Sequence, residues 1–149
     1  MQEAVLAKEV NFFVNKGTVQ TPNWVMVGCG NSKDYGLANE MITLNCDSGK
    51  RKVHSGEEPE YDFQLGGFVF EYATANKATN VSSTEFETWA SAVPQVLRQY
   101  RLAGKHVGDT VRTFNAYISN FRETGSNGEA RTYTIGFTID EPPVLTAQA

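Results

Sequence analysis

The chain reads as mostly β: two packed antiparallel β-sheets in a sandwich or barrel-like arrangement, with one flanking α-helix. Three observations carry this. Near the C-terminus Tyr133, Ile135, Phe137 and Ile139 alternate with Thr132, Thr134, Gly136 and Thr138, the period-two pattern of a half-buried strand. Short turns rich in glycine and asparagine, such as Gly125-Ser126-Asn127-Gly128, punctuate the strand-like runs; these residues tolerate positive φ. Only Ser82 to Val93 carries a convincing helical period.

In chain order, Val10 to Val14 predicts a short strand and Thr18 to Asn23 a loop. Trp24 to Cys29 is apolar on both faces and predicts a strand covered on two sides. Gly30 to Gly36 reads as a turn and Glu40 to Asn45 as another short strand. Asp47 to Glu60 holds Lys50, Arg51 and Lys52, then Glu57, Glu58 and Glu60, with almost nothing apolar. It predicts a long exposed loop, basic then acidic, that is either solvated or docks on a neighbouring copy. Tyr61, Phe63 and Leu65 alternate, and the phase flips after Gly66-Gly67 to Phe68, Phe70 and Tyr72, which predicts two segments across a bulge or turn. Ala73 to Val81 is a small-residue loop.

The helix opens with Ser82 and Glu85 spaced as a capping box. Phe86, Trp89, Ala90 and Val93 form one apolar stripe, and Pro94 ends it. Val96 to Leu102 predicts a strand, and Gly104 begins a turn. From Val107 the apolar phase changes between Val111 and Phe114. That predicts a long strand with a bulge near Thr113, or one whose two faces are buried by different layers. Pro142-Pro143 closes the last strand and leaves a short polar tail. There is no internal repeat and no low-complexity segment.

The 149 residues suit one domain, 1–149, with a substantial core. No apolar run approaches the length of a membrane span, and the N-terminus has no signal-peptide pattern; synthesis in a cytoplasm and no membrane insertion are expected. The formal charge of −4, without an extended basic block, argues against tight nucleic-acid binding. Cys29 and Cys46 are expected to be a reduced, buried pair, although adjacent strands could bring them within disulfide range.

The sequence offers no catalytic constellation. Gly28-Cys29-Gly30 lacks the third glycine of a dinucleotide loop, since Lys33 stands there. There is no phosphate-binding loop and no G-x-S-x-G. His54, His106, Cys29 and Cys46 lack paired-ligand spacing for a metal. Glu57-Glu58 is the one close acidic pair in a loop, and surface charge accounts for it. Not an enzyme, no cofactor and no metal are the expectations. The two features suited to contact are the charged Asp47–Glu60 stretch and the overlong strands.

The layout resembles the major tail (tail tube) proteins of long-tailed bacteriophages. The residues that carry this are Trp24-Val-Met-Val-Gly-Cys-Gly, Glu40-Met-Ile-Thr-Leu-Asn-Cys, the capped helix Ser82–Val93, Phe114-Asn-Ala-Tyr-Ile-Ser, and Gly125 to Ile135 leading into the last strand. The likeness runs from about Trp24 to Thr138, and the immunoglobulin-like extension some members carry is not expected after the last strand. The resemblance implies a tail-tube β-sandwich with a flanking helix, a fold shared with the type VI secretion tube. It implies six copies in a ring whose inner strands join into one β-barrel. Stacked rings form a channel through which viral DNA passes without specific binding. The expected location is the virion tail, and the expected partners are the chain itself, tape measure, tail terminator and baseplate or distal tail proteins. On this reading Lys50, Arg51, Lys52, Glu57 and Glu58 belong to an inter-subunit loop. Thr132, Thr134 and Thr138 are candidate lumen-facing residues, and segments of about 1–8 and 142–149 are arms ordered on assembly. Two other readings stand beside it: a small β-barrel binding an apolar ligand, and the tube subunit of a contractile tail, tailocin or type VI system.

Overall fold

The computed structural model describes residues 10–28, 30–69 and 80–148. Its strands are β1 (Asn11–Asn15), β2 (Trp24–Met26), β3 (Gly30–Ala38), β4 (Met41–Cys46), β5 (Gly49–His54) and β6 (Glu60–Phe68). After these come α1 (Ser83–Ser91), β7 (Arg98–Ala103), β8 (Thr110–Thr124), β9 (Thr132–Ile139) and β10 (Val144–Ala147). The protein is mostly β with two antiparallel sheets and one described helix, as the sequence predicts.

The main sheet has the order β2-β1-β7-β8-β9-β6-β3, and β10 joins β8 beside the end of β9. Three strands separate β1 from β6, yet Phe12 of β1 stacks on Phe63 of β6 with ring centroids 4.9 Å apart. The sheet therefore curls over on itself and makes its own two layers, without closing into a barrel. Tyr100 and Phe137 meet between the layers at 4.9 Å, and Phe114 lies against Phe63 at 5.9 Å. Aromatic rings are the largest fully buried side chains of this core. Burial pushes the Tyr100 hydroxyl well above its ordinary range.

The helix covers one end of that core. Phe86 is fully buried and meets Phe137 edge-on at 6.2 Å. The Ser82 hydroxyl accepts from the Glu85 amide at 3.4 Å. The Glu85 carboxylate does not complete a capping box; it pairs instead with Lys16 at 3.0 Å. Lys16 Nζ also donates to the Asn80 carbonyl at 2.8 Å, which ties the end of β1 to the helix start. The apolar stripe ends at Ala90: Val93, expected in the core, is 96% exposed beyond the helix terminus.

Several boundaries differ from the expectations. Residues 30–36 are strand, because pairing of Ser32–Ala38 with β6 overrides their turn-like composition. β2 is short and one-sided: Val25 is buried while Met26 is half-exposed. β6 runs straight through Gly66-Gly67 in its pairing with β9; the register shift lies in β3, between Gly30 and Ser32. Phe70, Tyr72, Cys29 and the 1–8 arm lie outside the described residues. The pairings of Thr113 with β7 and β10 show no bulge. The shift in β8 falls between Ile118 and Asn120, opposite β9. The phase change between Val111 and Phe114 comes from different cover on the two faces: Phe114 joins the main core, and Val111 is buried outside it. Val107 lies in an exposed turn before the strand. The C-terminal segment is also more ordered than an arm, since Val144–Ala147 pair with Thr110–Thr113.

Candidate assembly surfaces

The charged stretch is not one long loop. Its first half is β5, which pairs with β4 from Met41↔His54 to Cys46↔Gly49 as a separate hairpin. Gly49 supplies positive φ (126°) at the turn after Asp47-Ser48. The root is pinned by the Ser55 amide on the Glu40 carbonyl at 3.0 Å. His54 accepts from the Gly56 amide at 2.9 Å through Nδ1, so its Nε2–H faces Asn39 Oδ1 at 3.1 Å. Glu57 and Glu58 fall in the exposed connector between β5 and β6.

Every residue of β4 and β5 is exposed. Paired residues in an antiparallel ladder share a face, so the hairpin is two-sided in chemistry. Ile42, Leu44 and Val53 lie on one face with Cys46 and Arg51. Lys50, Lys52 and His54 lie on the other with Met41, Thr43 and Asn45. The hairpin makes no substantial contact with the main sheet or the helix. A two-stranded ribbon with an apolar face in water is marginal by itself. Sequence reasoning found the charge of this region but missed its amphipathic pairing, because most of the apolar half resides in β4.

A second surface is the outer face of β8, β9, β6 and β3. Thr134 and Thr138 are exposed and Thr132 is half-buried, while Tyr133, Ile135, Phe137 and Ile139 point into the core. Across the ladders Thr138 faces Asp62 and Tyr117, and Thr134 faces Gly66 and Arg122. Gln64 stands opposite both Gly136 and Asp34. The face is mostly small and polar and weakly acidic, with Phe68 beside Thr132 and Tyr117 beside Thr138 as its large apolar members. The register shift at Ser119 lets Ser119 and Asn120 both lean over Gly136, where an added Cβ would fall on Asn120 Oδ1. The sequence shows the alternation that builds this face but not the shift.

The flanks of this four-stranded set are open among the described residues. β3 pairs only with β6. Beyond Ala116, where β7 ends its ladder, β8 continues for eight residues with β9 on one side only. At the start of that open edge the Gln95 amide stands in for a strand: Nε2 donates to the Ile118 carbonyl at 3.1 Å, and Oε1 accepts from the Ile118 amide.

Of the sequence-predicted site residues, the structure places Lys50, Arg51 and Lys52 on the hairpin, Glu57 and Glu58 beyond its root, and the three threonines on the outer face of β9. His54 and His106 are far apart in the chain and each bonds locally; the His106 amide donates to Asp109 Oδ2 at 2.9 Å. Cys46, expected to be buried, is exposed with a free thiol because β4 belongs to the hairpin, which packs on no core. Among the described residues no group of three His, Cys, Asp or Glu side chains is placed to hold a metal, and no helix is long and apolar enough to cross a membrane.

No known family pattern and no curated protein matches the sequence. Solved structures do match the fold. The tail of an empty gene transfer agent particle, refined helically with C6 symmetry, is 10% identical with a TM-score of 0.67, covering 98% of this chain and 100% of that one. The SPP1 tail tube is 9% identical with a TM-score of 0.69, covering 97% and 80%. A PVC sheath–tube complex from an extracellular contractile injection system is 12% identical with a TM-score of 0.65, covering 97% and 92%. The chain has the fold of these tail and tube proteins.

Proposed function

We propose that this protein is the structural subunit of a tail tube, assembling into stacked rings around a channel that carries DNA in a virion. The observation that carries it is the open-edged four-stranded set β8-β9-β6-β3 with its outward polar face. Unpaired edges of this kind are an aggregation hazard in a monomer; joined edge to edge in a ring they would close a barrel. The edge of β3 in one copy and the Ser119–Thr124 edge in the next are the natural seam. Six copies contributing four strands each, at about 4.8 Å spacing and a tilt near 40°, give a barrel roughly 45–50 Å across. Such a channel admits duplex DNA.

The lining supports passage rather than capture. Asp34 and Asp62 outnumber Arg122 on that face, and the threonines present no cation to a phosphate backbone. Lys50, Arg51, Lys52, Glu57 and Glu58 would lie between subunits. Tape measure, terminator and baseplate proteins would be the other partners. Likeness to tubes of both phage-like and contractile particles leaves a sheathed version of the same role compatible with this reading. The ligand-binding barrel is disfavoured, because the sheet does not close and aromatic side chains occupy its interior.

Sedimentation velocity across a concentration series tests the proposal. Concentration-dependent growth from a 16.4 kDa chain to large particles is expected. A strict monomer that releases a small molecule on denaturation would overturn it.

A further inference from the structure

The two open edges of the set β8-β9-β6-β3 carry complementary side chains. Every pairing in the set is antiparallel, so β8 and β3 run in opposite directions. A ring axis preserves strand direction, so β3 of one copy meets β8 of the next antiparallel. On β8, Asn120, Arg122 and Thr124 share the outer face with Gly136, Thr134 and Thr132, while Phe121 and Glu123 share the core-side face with Ile135 and Tyr133. On β3, Ser32, Asp34 and Gly36 stand on the outer face with Gly66, Gln64 and Asp62; Lys33 and Tyr35 stand on the core side with Leu65 and Phe63. Lys33 is half-buried, and burial pushes its amine below the ordinary range. Lys33, Asp34 and Arg122 form no ion pair among the described residues, and Glu123 holds Arg131 at 3.4 Å.

We infer that the seam between copies has one register, with Arg122 of one copy opposite Asp34 of the next and Glu123 opposite Lys33. The inference rests on the tube reading and adds to it which residues meet at the seam. A register must keep outer residues opposite outer residues, because a slip of one turns every side chain to the other face. Slips of two remain, and each breaks the pairs. One sets Arg122 opposite Ser32 and Lys33 opposite Phe121; the other sets Arg122 opposite Gly36 and Glu123 opposite Tyr35. The inferred register instead places opposite charges together on both faces, Phe121 against Tyr35 on the core side, and Thr124 against Ser32. Gln95 marks its end. The next core-side position on β8 is Ile118, whose backbone amide and carbonyl are already held by the Gln95 side chain. An added strand therefore finds free partners only from Ser119 onward. On the channel face, Asp34 neutralises Arg122, so the seam also removes that cation from the path of a phosphate backbone.

The test is charge exchange in the full chain. Asp34→Arg and Arg122→Asp are made singly and together. Both positions are exposed, so folding should survive, and circular dichroism checks it. Each single variant sets like charges opposite one another at every seam, and the concentration for half-assembly should rise by at least ~10-fold. The double variant restores opposite charges at every seam, so assembly should return to near the wild-type concentration. Cysteine pairs read the register directly. Ser32→Cys with Thr124→Cys should give disulfide-linked ladders of copies on oxidation, because directly paired residues fall within bridging distance. Ser32→Cys with Arg122→Cys, two residues out of register, should stay at the wild-type background. Single variants that assemble like wild type, a double variant with no rescue, or ladders from the shifted pair alone overturn the register while the tube reading stands. Wild-type protein that stays monomeric at its highest soluble concentration overturns the tube reading, and the register with it.

Discussion

Asn15 is 6% exposed, and its side chain organises the turn after β1. Its Nδ2 donates to the Thr18 carbonyl at 3.1 Å and to Gln99 Oε1 at 2.8 Å; its Oδ1 accepts from the amides of Gly17 at 2.9 Å and Asn23 at 3.0 Å. Truncation unpairs Gln99, which is half-buried, and three groups on exposed residues that water can reach, so the cost is about 0.5–1.5 kcal/mol. Asn15→Ala should lower the urea midpoint with an unchanged m-value, and an unmoved midpoint would show that water replaces the network freely. Gly136 makes a different demand. Its backbone needs no special φ; it is glycine because Ser119 and Asn120 occupy the space over it. Gly136→Val should destabilise by about 1–3 kcal/mol through overpacking. Asn120→Gly in the same chain should recover part of that loss, and a strictly additive double variant would refute the packing explanation.

At the scale of elements, the hairpin and the β8 edge separate folding from assembly. Neither face of β4–β5 contributes to the core, so replacing 41–54 with a short turn should leave the thermal midpoint within a few degrees of wild type while abolishing particle formation. A large fall in the midpoint would mean that the hairpin supports the fold itself. Gln95→Ala should cost about 1–3 kcal/mol by freeing both Ile118 backbone groups, and hydrogen exchange at the Ile118 amide should rise. These elements were legible in the sequence to different degrees. The alternation from Thr132 to Ile139 declared β9 because one face is core and the other is solvent. The Ser82 cap and the Phe86–Ala90 stripe declared α1 for the same reason. β3 was hidden because an edge strand can use Gly, Asn, Ser, Lys and Asp when pairing with β6 supplies its order. β5 was hidden because its only strong apolar residue is Val53. The open edges arise from which strands end beside which, and no local pattern encodes that.

For the whole molecule, a curled sheet with a filled aromatic core explains how one chain can fold alone and still present unfinished surfaces. The core holds the layers together, and the open edges and the hairpin face outward. Contacts between exposed charges weaken as the Debye length shrinks, from about 10 Å at 0.1 M salt to about 3 Å at 1 M. Raising salt should therefore shift half-assembly to higher protein concentration without moving the thermal midpoint of the monomer. A salt-independent assembly curve would place the binding energy in apolar or backbone contacts instead. The most direct measurement is cryo-electron microscopy of the purified full chain at a concentration where large particles form. Hollow tubes of stacked sixfold rings are expected, with a lumen that admits duplex DNA and the Thr134 and Thr138 face of β9 lining it. Solid fibres, closed dimers without a channel, or tubes with that face turned outward would contradict this expectation.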